Sequence, residues 1–137
     1  METIEEKQQE FIELYNSLGD PLMQYEFLLQ LAGETPVSGN REDRAKIKNC
    51  QTDSWFQMSI KNNCFYLDVD SDSLLIRGVL CVYVYLLNGR SLQEIIRTPL
   101  RFMEETEINQ QLTRGRFSVL SNLSETIYQF CREAVSE

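Results

Sequence analysis

Histidine is missing from all 137 residues. Its absence removes the side chain that most often serves as general base and metal ligand near neutral pH. A Cys-His or Ser-His-Asp catalytic group cannot be assembled from this chain. Basic residues are also in short supply: 13 Lys and Arg stand against 21 Asp and Glu, a formal net charge of -8. That balance argues against nucleic acid, which recruits basic patches, and against anionic membrane surfaces. A basic protein partner is compatible with it, although acidity by itself is usually a matter of solubility. No C-x-x-C pair occurs, so neither a zinc knuckle nor a thioredoxin-type dithiol is indicated. The most apolar run, Leu74 to Leu87, has 14 residues and is interrupted by Arg77 and Gly78. It is too short to cross a bilayer and has the length of a buried core helix. The segment Met1-Glu-Thr-Ile-Glu-Glu-Lys7 lacks an apolar signal core, so the expectation is no export, a cytoplasmic location and reduced thiols.

What is present reads as one soluble domain over residues 1–137. Hydrophobic content of 42% with 25% charged residues is ordinary for a globular chain of this length. Thr3-Ile4-Glu5-Glu6 fits a capping box and predicts a first helix to about Ser17, with Ile4, Phe11, Leu14, Tyr15 and Leu18 as its apolar stripe. Asp20 and Pro21 predict the cap and first residue of a second helix, ending near Ala32 with Gly33 as the stop. Its expected buried face is Leu22, Tyr25, Leu28, Leu29 and Ala32. Residues 34–48 read as a long loop, a kind of segment that is often functional.

From Ser54 to Lys61 the pattern alternates, with Phe56, Met58 and Ile60 on one face and Trp55, Gln57 and Ser59 on the other. That period predicts a half-buried strand. Asn62-Asn63 suits a two-residue hairpin turn, and Cys64 to Val69 suits the returning strand. Two strands alone are marginal, so a third, over Lys46 to Asn49, or a cover of helices is expected. Asp70 or Asp72 is the expected cap of the central apolar helix. Ser91-Leu-Gln-Glu94 opens a short helix, Leu100 to Leu112 holds one or two helical turns, and a last helix runs from about Thr113 to Arg132. Its buried face is predicted as Phe117, Leu120, Leu123, Ile127 and Cys131, at helical spacing. The fold class is therefore α+β, with a small antiparallel sheet of about three strands covered by helices.

Four cysteines are present, and Cys50 is unlike the others. Cys64, Cys81 and Cys131 sit in apolar or amphipathic segments, where free cysteine acts as a small hydrophobe. Cys50 stands in a polar stretch, Lys46-Ile-Lys48-Asn-Cys50-Gln-Thr-Asp-Ser-Trp55. A thiol reacts when it can ionise and be reached, and the lysines favour the thiolate. Cys50 is thus either a nucleophilic or acceptor thiol or an idle surface cysteine. Arg114 and Arg116 open the last helix, where the macrodipole disfavours positive charge. They either have a partner, such as a carboxylate or Cys50, or are solvated. Asp68-Val-Asp70-Ser-Asp72 begins like a calcium loop. However, Ser73 stands where Gly is needed and Val79 where a bidentate Glu is needed, so helix capping is the better reading.

Asn49-Cys50-Gln51-Thr52-Asp53-Ser54-Trp55 resembles the Gly-Cys-x-Ser-x-Val-Trp motif of the SufE family. Asp70-Ser71-Asp72-Ser73 with Ile76-Arg77-Gly78 is similar to that family's Asp-Ser-Asp-Ala...Ile-Val-Lys-Gly segment. Leu112-Thr113-Arg114-Gly115-Arg116 stands where the family has Leu-Thr-Pro-Ser-Arg. Asn49 replaces the family's glycine, Ser54 replaces the apolar residue before the tryptophan, and Gly115 and Phe117 change the surroundings of the arginine. The resemblance implies a SufE/IscU-like fold. It also implies a sulfur acceptor that takes persulfide sulfur from a SufS-like cysteine desulfurase onto Cys50, stimulates that enzyme and passes sulfur to an iron-sulfur scaffold. In this reading Lys48, Asp72 and Arg116 support the thiol or bind the partner, with Arg114 as the alternative family arginine. No cofactor or metal is expected on this chain, and pyridoxal phosphate belongs to the desulfurase. The chain is expected as a monomer or weak homodimer. The alternative is an iron-sulfur or zinc scaffold of related fold, which would need carboxylates or a second chain beside the cysteines. A weaker third reading is a peroxide-reactive thiol enzyme.

Overall fold

The computed structural model describes residues 2–36, 41–42, 45–48 and 52–136. Cys50 and its neighbours Asn49 and Gln51 lie outside the described residues, as do parts of the predicted loop 34–48.

Two helices open the chain, α1 (Ile4–Ser17) and α2 (Pro21–Glu34). The α1 capping box forms in full: Thr3 accepts from the Glu6 N–H, and Glu6 accepts from the Thr3 N–H. Asp20 caps α2 through the Leu22 N–H, with Pro21 in the first turn. Gly33 does not stop this helix. It continues to Glu34 and ends at Thr35, whose hydroxyl and N–H both donate to the Leu31 carbonyl. The expected α2 face is also corrected. Gln24, Leu28 and Ala32 are buried, whereas Leu22 and Tyr25 are exposed.

The sheet has two strands among the described residues rather than about three. Antiparallel β1 (Ser54–Lys61) and β2 (Cys64–Ser71) pair from Ser54–Ser71 to Lys61–Cys64. Asn62 and Asn63 turn the hairpin with φ of 53° and 63°, the left-handed conformation asked of them. Among the described residues of the expected third strand there is one bridge, Lys46 to Trp55, with the Ile47 N–H donating to the Ser54 carbonyl at 2.8 Å. Helices supply the missing cover. Phe65, Leu67 and Val69 are buried, and α3 (Leu74–Leu87) packs on their strand. The outer edge of β2 is covered too: the Phe65 N–H donates to the Arg90 carbonyl, and Cys64 bridges to Ser91.

Helix α3 is capped by Ser73, whose hydroxyl accepts from the Ile76 N–H, and not by Asp70 or Asp72. Asp70 belongs to β2, and Asp72 carries an ion pair instead. Nine α3 side chains or glycine positions are buried, from Ile76 to Leu87. Burying each leucine-sized group contributes about 1.5–3 kcal/mol, so this helix is the centre of the core. Gly78 explains itself by close approach: a Cβ there would run into the Leu28 carbonyl of α2.

The remaining elements wrap this centre: α4 (Leu92–Arg97), α5 (Phe102–Glu105) and a 3-10 turn over Glu107–Gln111. The single last helix expected from the sequence is two, α6 (Arg114–Ser121) and α7 (Leu123–Ser136). The chain turns at Asn122, whose N–H donates back to the Ser118 carbonyl. Leu120, Leu123, Ile127 and Cys131 are buried as expected, and Phe117 is half-buried.

Candidate functional site

The described residues on either side of Cys50 are held at the start of the hairpin. Upstream, Lys46 and Ile47 are fastened to the start of β1 by the bridge and hydrogen bond described above. Downstream, the Asp53 carbonyl accepts from the Asp72 N–H at 2.9 Å, and the Ser54 and Ser71 hydroxyls lie 2.8 Å apart. The base of the hairpin thus holds both ends of the segment, and Cys50 lies two residues before Thr52.

Arginines and lysines from several segments meet this base. Arg41 donates from Nε to Asp70 at 2.9 Å and from Nη1 to Asp72 at 2.7 Å. Its guanidinium also lies 4.3 Å from the centroid of the Trp55 ring, so the outward face of β1 is covered and Trp55 is buried. Arg77 stands 3.8 Å from Asp70. Burial pushes the Asp70 carboxyl upward, but bonds from Arg41 and the Ser71 N–H and the charges of Arg41 and Arg77 outweigh it. The net result is a carboxyl below its ordinary range. Lys46 pairs with Asp53 at 3.0 Å.

Arg116 approaches from the other side. From the first turn of α6 its Nη2 donates to the Thr52 hydroxyl at 3.0 Å. Its buried Nε has no hydrogen-bond partner among the described residues. Arg114, the alternative, lies elsewhere, beside Met103, Glu104 and Phe117. Of the predicted supporting residues, Asp72 and Arg116 are therefore tied to the flank of the Cys50 segment. Lys48 is exposed at the lip of a cleft of about 480 Å³ whose walls include Ile47, Phe56, Met58, Val119 and Leu123. Arg41 is a residue that sequence reasoning does not single out. Its one signal is a charged run inside the long loop, and no local spacing connects it with Asp70, 29 residues away.

Burial pushes the Cys81 and Cys131 thiols up, which suits packing residues. Cys64 is half-buried at the start of β2. Among the described residues no group of three His, Cys, Asp or Glu side chains is placed to hold a metal ion.

The residues that bracket Cys50 in the sequence, 46–48 and 52–54, are thus gathered at the hairpin base beside Arg41, Arg116 and an apolar cleft. The model of the SufE family, described as an Fe-S metabolism associated domain, matches residues 9–131. The chain belongs to the SufE family, which gives it a role in iron-sulfur metabolism. It is 29% identical over 127 residues to SufE-like protein 1, chloroplastic/mitochondrial, of Arabidopsis thaliana, an alignment covering 90% of this chain and 34% of that protein. The chain thus spans about a third of the length of that relative. The solution structure of a hypothetical protein from Thermus thermophilus matches with a TM-score of 0.77 across 96% of this chain and 97% of the other. At 17% identity that likeness is one of fold.

Proposed function

We propose that this chain is a single SufE-like domain that accepts sulfur on Cys50 from a cysteine desulfurase and passes it toward iron-sulfur cluster assembly. The observation that carries the reading is the hydrogen bond from Arg116 to Thr52. It sets an arginine from a distant helix against the segment two residues past Cys50. Family membership supports the same reading independently.

The chemistry needs neither histidine nor a metal on this chain. The desulfurase, a pyridoxal-phosphate enzyme, carries a persulfide on its own cysteine. The Cys50 thiolate attacks the outer sulfur. A new S–S bond forms at Cys50, the old one breaks, and the partner's cysteine leaves as a thiolate. No oxidant or reductant is consumed. In this reading Lys48 and Arg116 favour the thiolate electrostatically, and Asp72 holds the hairpin base through Asp53 and Arg41. The reading requires reduced thiols, as in cytoplasm.

The test is the intact mass of the protein after incubation with a desulfurase and cysteine, followed by peptide mapping. One added sulfur on the Cys50 peptide, removed by a reductant, is expected. Cys50→Ser abolishes it and Cys64→Ser leaves it. Full loading of Cys50→Ser, or no loading of a folded wild-type chain by a matched desulfurase, rejects the reading.

A further inference from the structure

The net charge is not spread over the molecule. Residues 2–36 contain eight acidic side chains and one basic side chain, Lys7, a balance of -7 out of the chain's -8. These residues form α1 and α2. Along α1, Glu6 and Glu10 stand four positions apart on one side of the helix and Glu13 adjoins them, while Glu2 lies just before the cap at Thr3. Glu10 has acidic company. A hydrogen bond to Glu2, burial, and the charges of Glu2, Glu6 and Glu13 all raise its carboxyl above the usual range. Like charges so arranged are mildly destabilising unless a cation arrives.

Beside this ridge lies an apolar groove of about 280 Å³, lined by Phe11 and Leu14 of α1, Phe27 and Leu31 of α2 and Tyr85 of α3, with Glu10 at its rim. Leu14 is 50% exposed and Tyr85 42%. Met23, 50% exposed, extends the Phe27–Leu31 row by one helical turn. Glu2 and Glu10 both act on the Tyr85 hydroxyl, which places the ridge and the groove together. The groove already seats one cation of its own: the Lys7 ammonium lies 4.2 Å from the centroid of the Tyr85 ring and donates to the Tyr85 carbonyl. Three helices that leave an apolar trough beside a row of carboxylates match one kind of occupant, a helix with an apolar face and flanking lysines or arginines. An acidic helix or an anionic membrane is repelled by the same row.

We infer that the α1–α2–α3 groove docks a basic amphipathic helix of a partner protein, through Phe11, Leu14, Phe27, Leu31 and Tyr85 with Glu10 and Glu13 as the charge partners. The groove shares no residue with the Cys50 site, so the surface is available while that site is engaged. The inference does not depend on the sulfur-acceptor reading.

The probe is a synthetic helical peptide of leucines and lysines with one apolar face, titrated into the full chain and followed by amide NMR shifts. A peptide of identical composition, scrambled to destroy the apolar face, is the control. Binding is expected to shift Phe11, Leu14, Phe27, Leu31 and Tyr85. It should weaken about tenfold or more, worth about 1.4 kcal/mol per decade, in Leu14→Ser and in the double variant Glu10→Gln/Glu13→Gln. The iodoacetamide alkylation rate of Cys50 should stay at the wild-type value in both, which certifies the fold. Equal binding of the scrambled peptide, or indifference to Leu14→Ser, overturns the inference in favour of unspecific attraction to an acidic surface. Peptide-free self-association that Leu14→Ser abolishes overturns it as well, by giving the groove to a second copy.

Discussion

The two ends of the molecule use charge in opposite ways. At the hairpin base the charges are matched: Asp70 and Asp72 share Arg41, Arg77 stands by Asp70, and Lys46 meets Asp53. On the outward side of α1, Glu10 faces Glu2, Glu6 and Glu13. Among the matched charges Arg41 pins its loop to the hairpin base through Asp70 and Asp72, and Arg77 of α3 stands by the same Asp70. On α1, Glu6 caps the helix through the Thr3 N–H, but Glu10 is left among like charges that an incoming cation would relieve. A net charge of -8 taken for the whole chain says little beyond solubility. Its distribution separates a site built for position from a surface built for recruitment.

The largest effect comes from breaking the site end. Cys50→Ser is expected to lower sulfur loading by a factor of about a hundred or more, on the order of the loss of an essential nucleophile, as mass spectrometry reads. Binding of the lysine–leucine peptide should be unchanged in the same variant. If it falls in parallel, the two ends are coupled and the contrast between them collapses. The next effect strikes the groove end from beneath. Gly78→Ala forces a methyl group toward the Leu28 carbonyl, and overpacking of this kind costs typically about 1–3 kcal/mol. Urea unfolding should show it as a lower midpoint with an unchanged slope.

Asp70→Asn tests whether the matched charges do hold the base. Removing a charged acceptor from Arg41 should cost about 1–3 kcal/mol at neutral pH. The Asp70 carboxyl is depressed in the folded protein, so its contribution is present above the ordinary carboxylate range. It is lost as pH falls through that range toward the lower folded value. The wild type should therefore lose stability between about pH 5 and pH 2 more steeply than Asp70→Asn. Parallel pH curves for the two would mean that Asp70 contributes no charge-dependent stability.

Sequence and structure agree where local physics decides. The capping box at Thr3, the Asn62-Asn63 turn and the span Leu74–Leu87 follow from neighbours within a few residues. They part where distant packing decides. Leu22 and Tyr25 belong to an apolar pattern, but α2 meets α3 at Leu28 and bonds to Tyr15 and Glu107 through Gln24, so they face outward. Asp70 and Asp72 look like caps, yet Arg41 claims both from across the loop. Asn122 divides the last helix with no glycine or proline to announce it. For the site, motif resemblance leads to Asp72 and Arg116, whereas Arg41 and the α1–α2 groove depend on contacts between segments far apart in the chain.

The smallest expected effect concerns Lys46 and Asp53. Their ion pair is 3.0 Å long, but both side chains are about half exposed, at 44% and 54%. Solvent screens such pairs, and holding two flexible side chains costs entropy. A double-mutant cycle of Lys46→Ala and Asp53→Ala should therefore return a coupling of about 0.2–1 kcal/mol, shrinking as salt is added. The backbone contacts beside the pair, Ile47 to Ser54 and Asp72 to Asp53, do not depend on either side chain, so the Cys50 alkylation rate should barely change. A coupling well above that range would make this exposed pair a principal fastening of the Cys50 segment. In that case charge, rather than backbone pairing to the hairpin, would set where the segment lies.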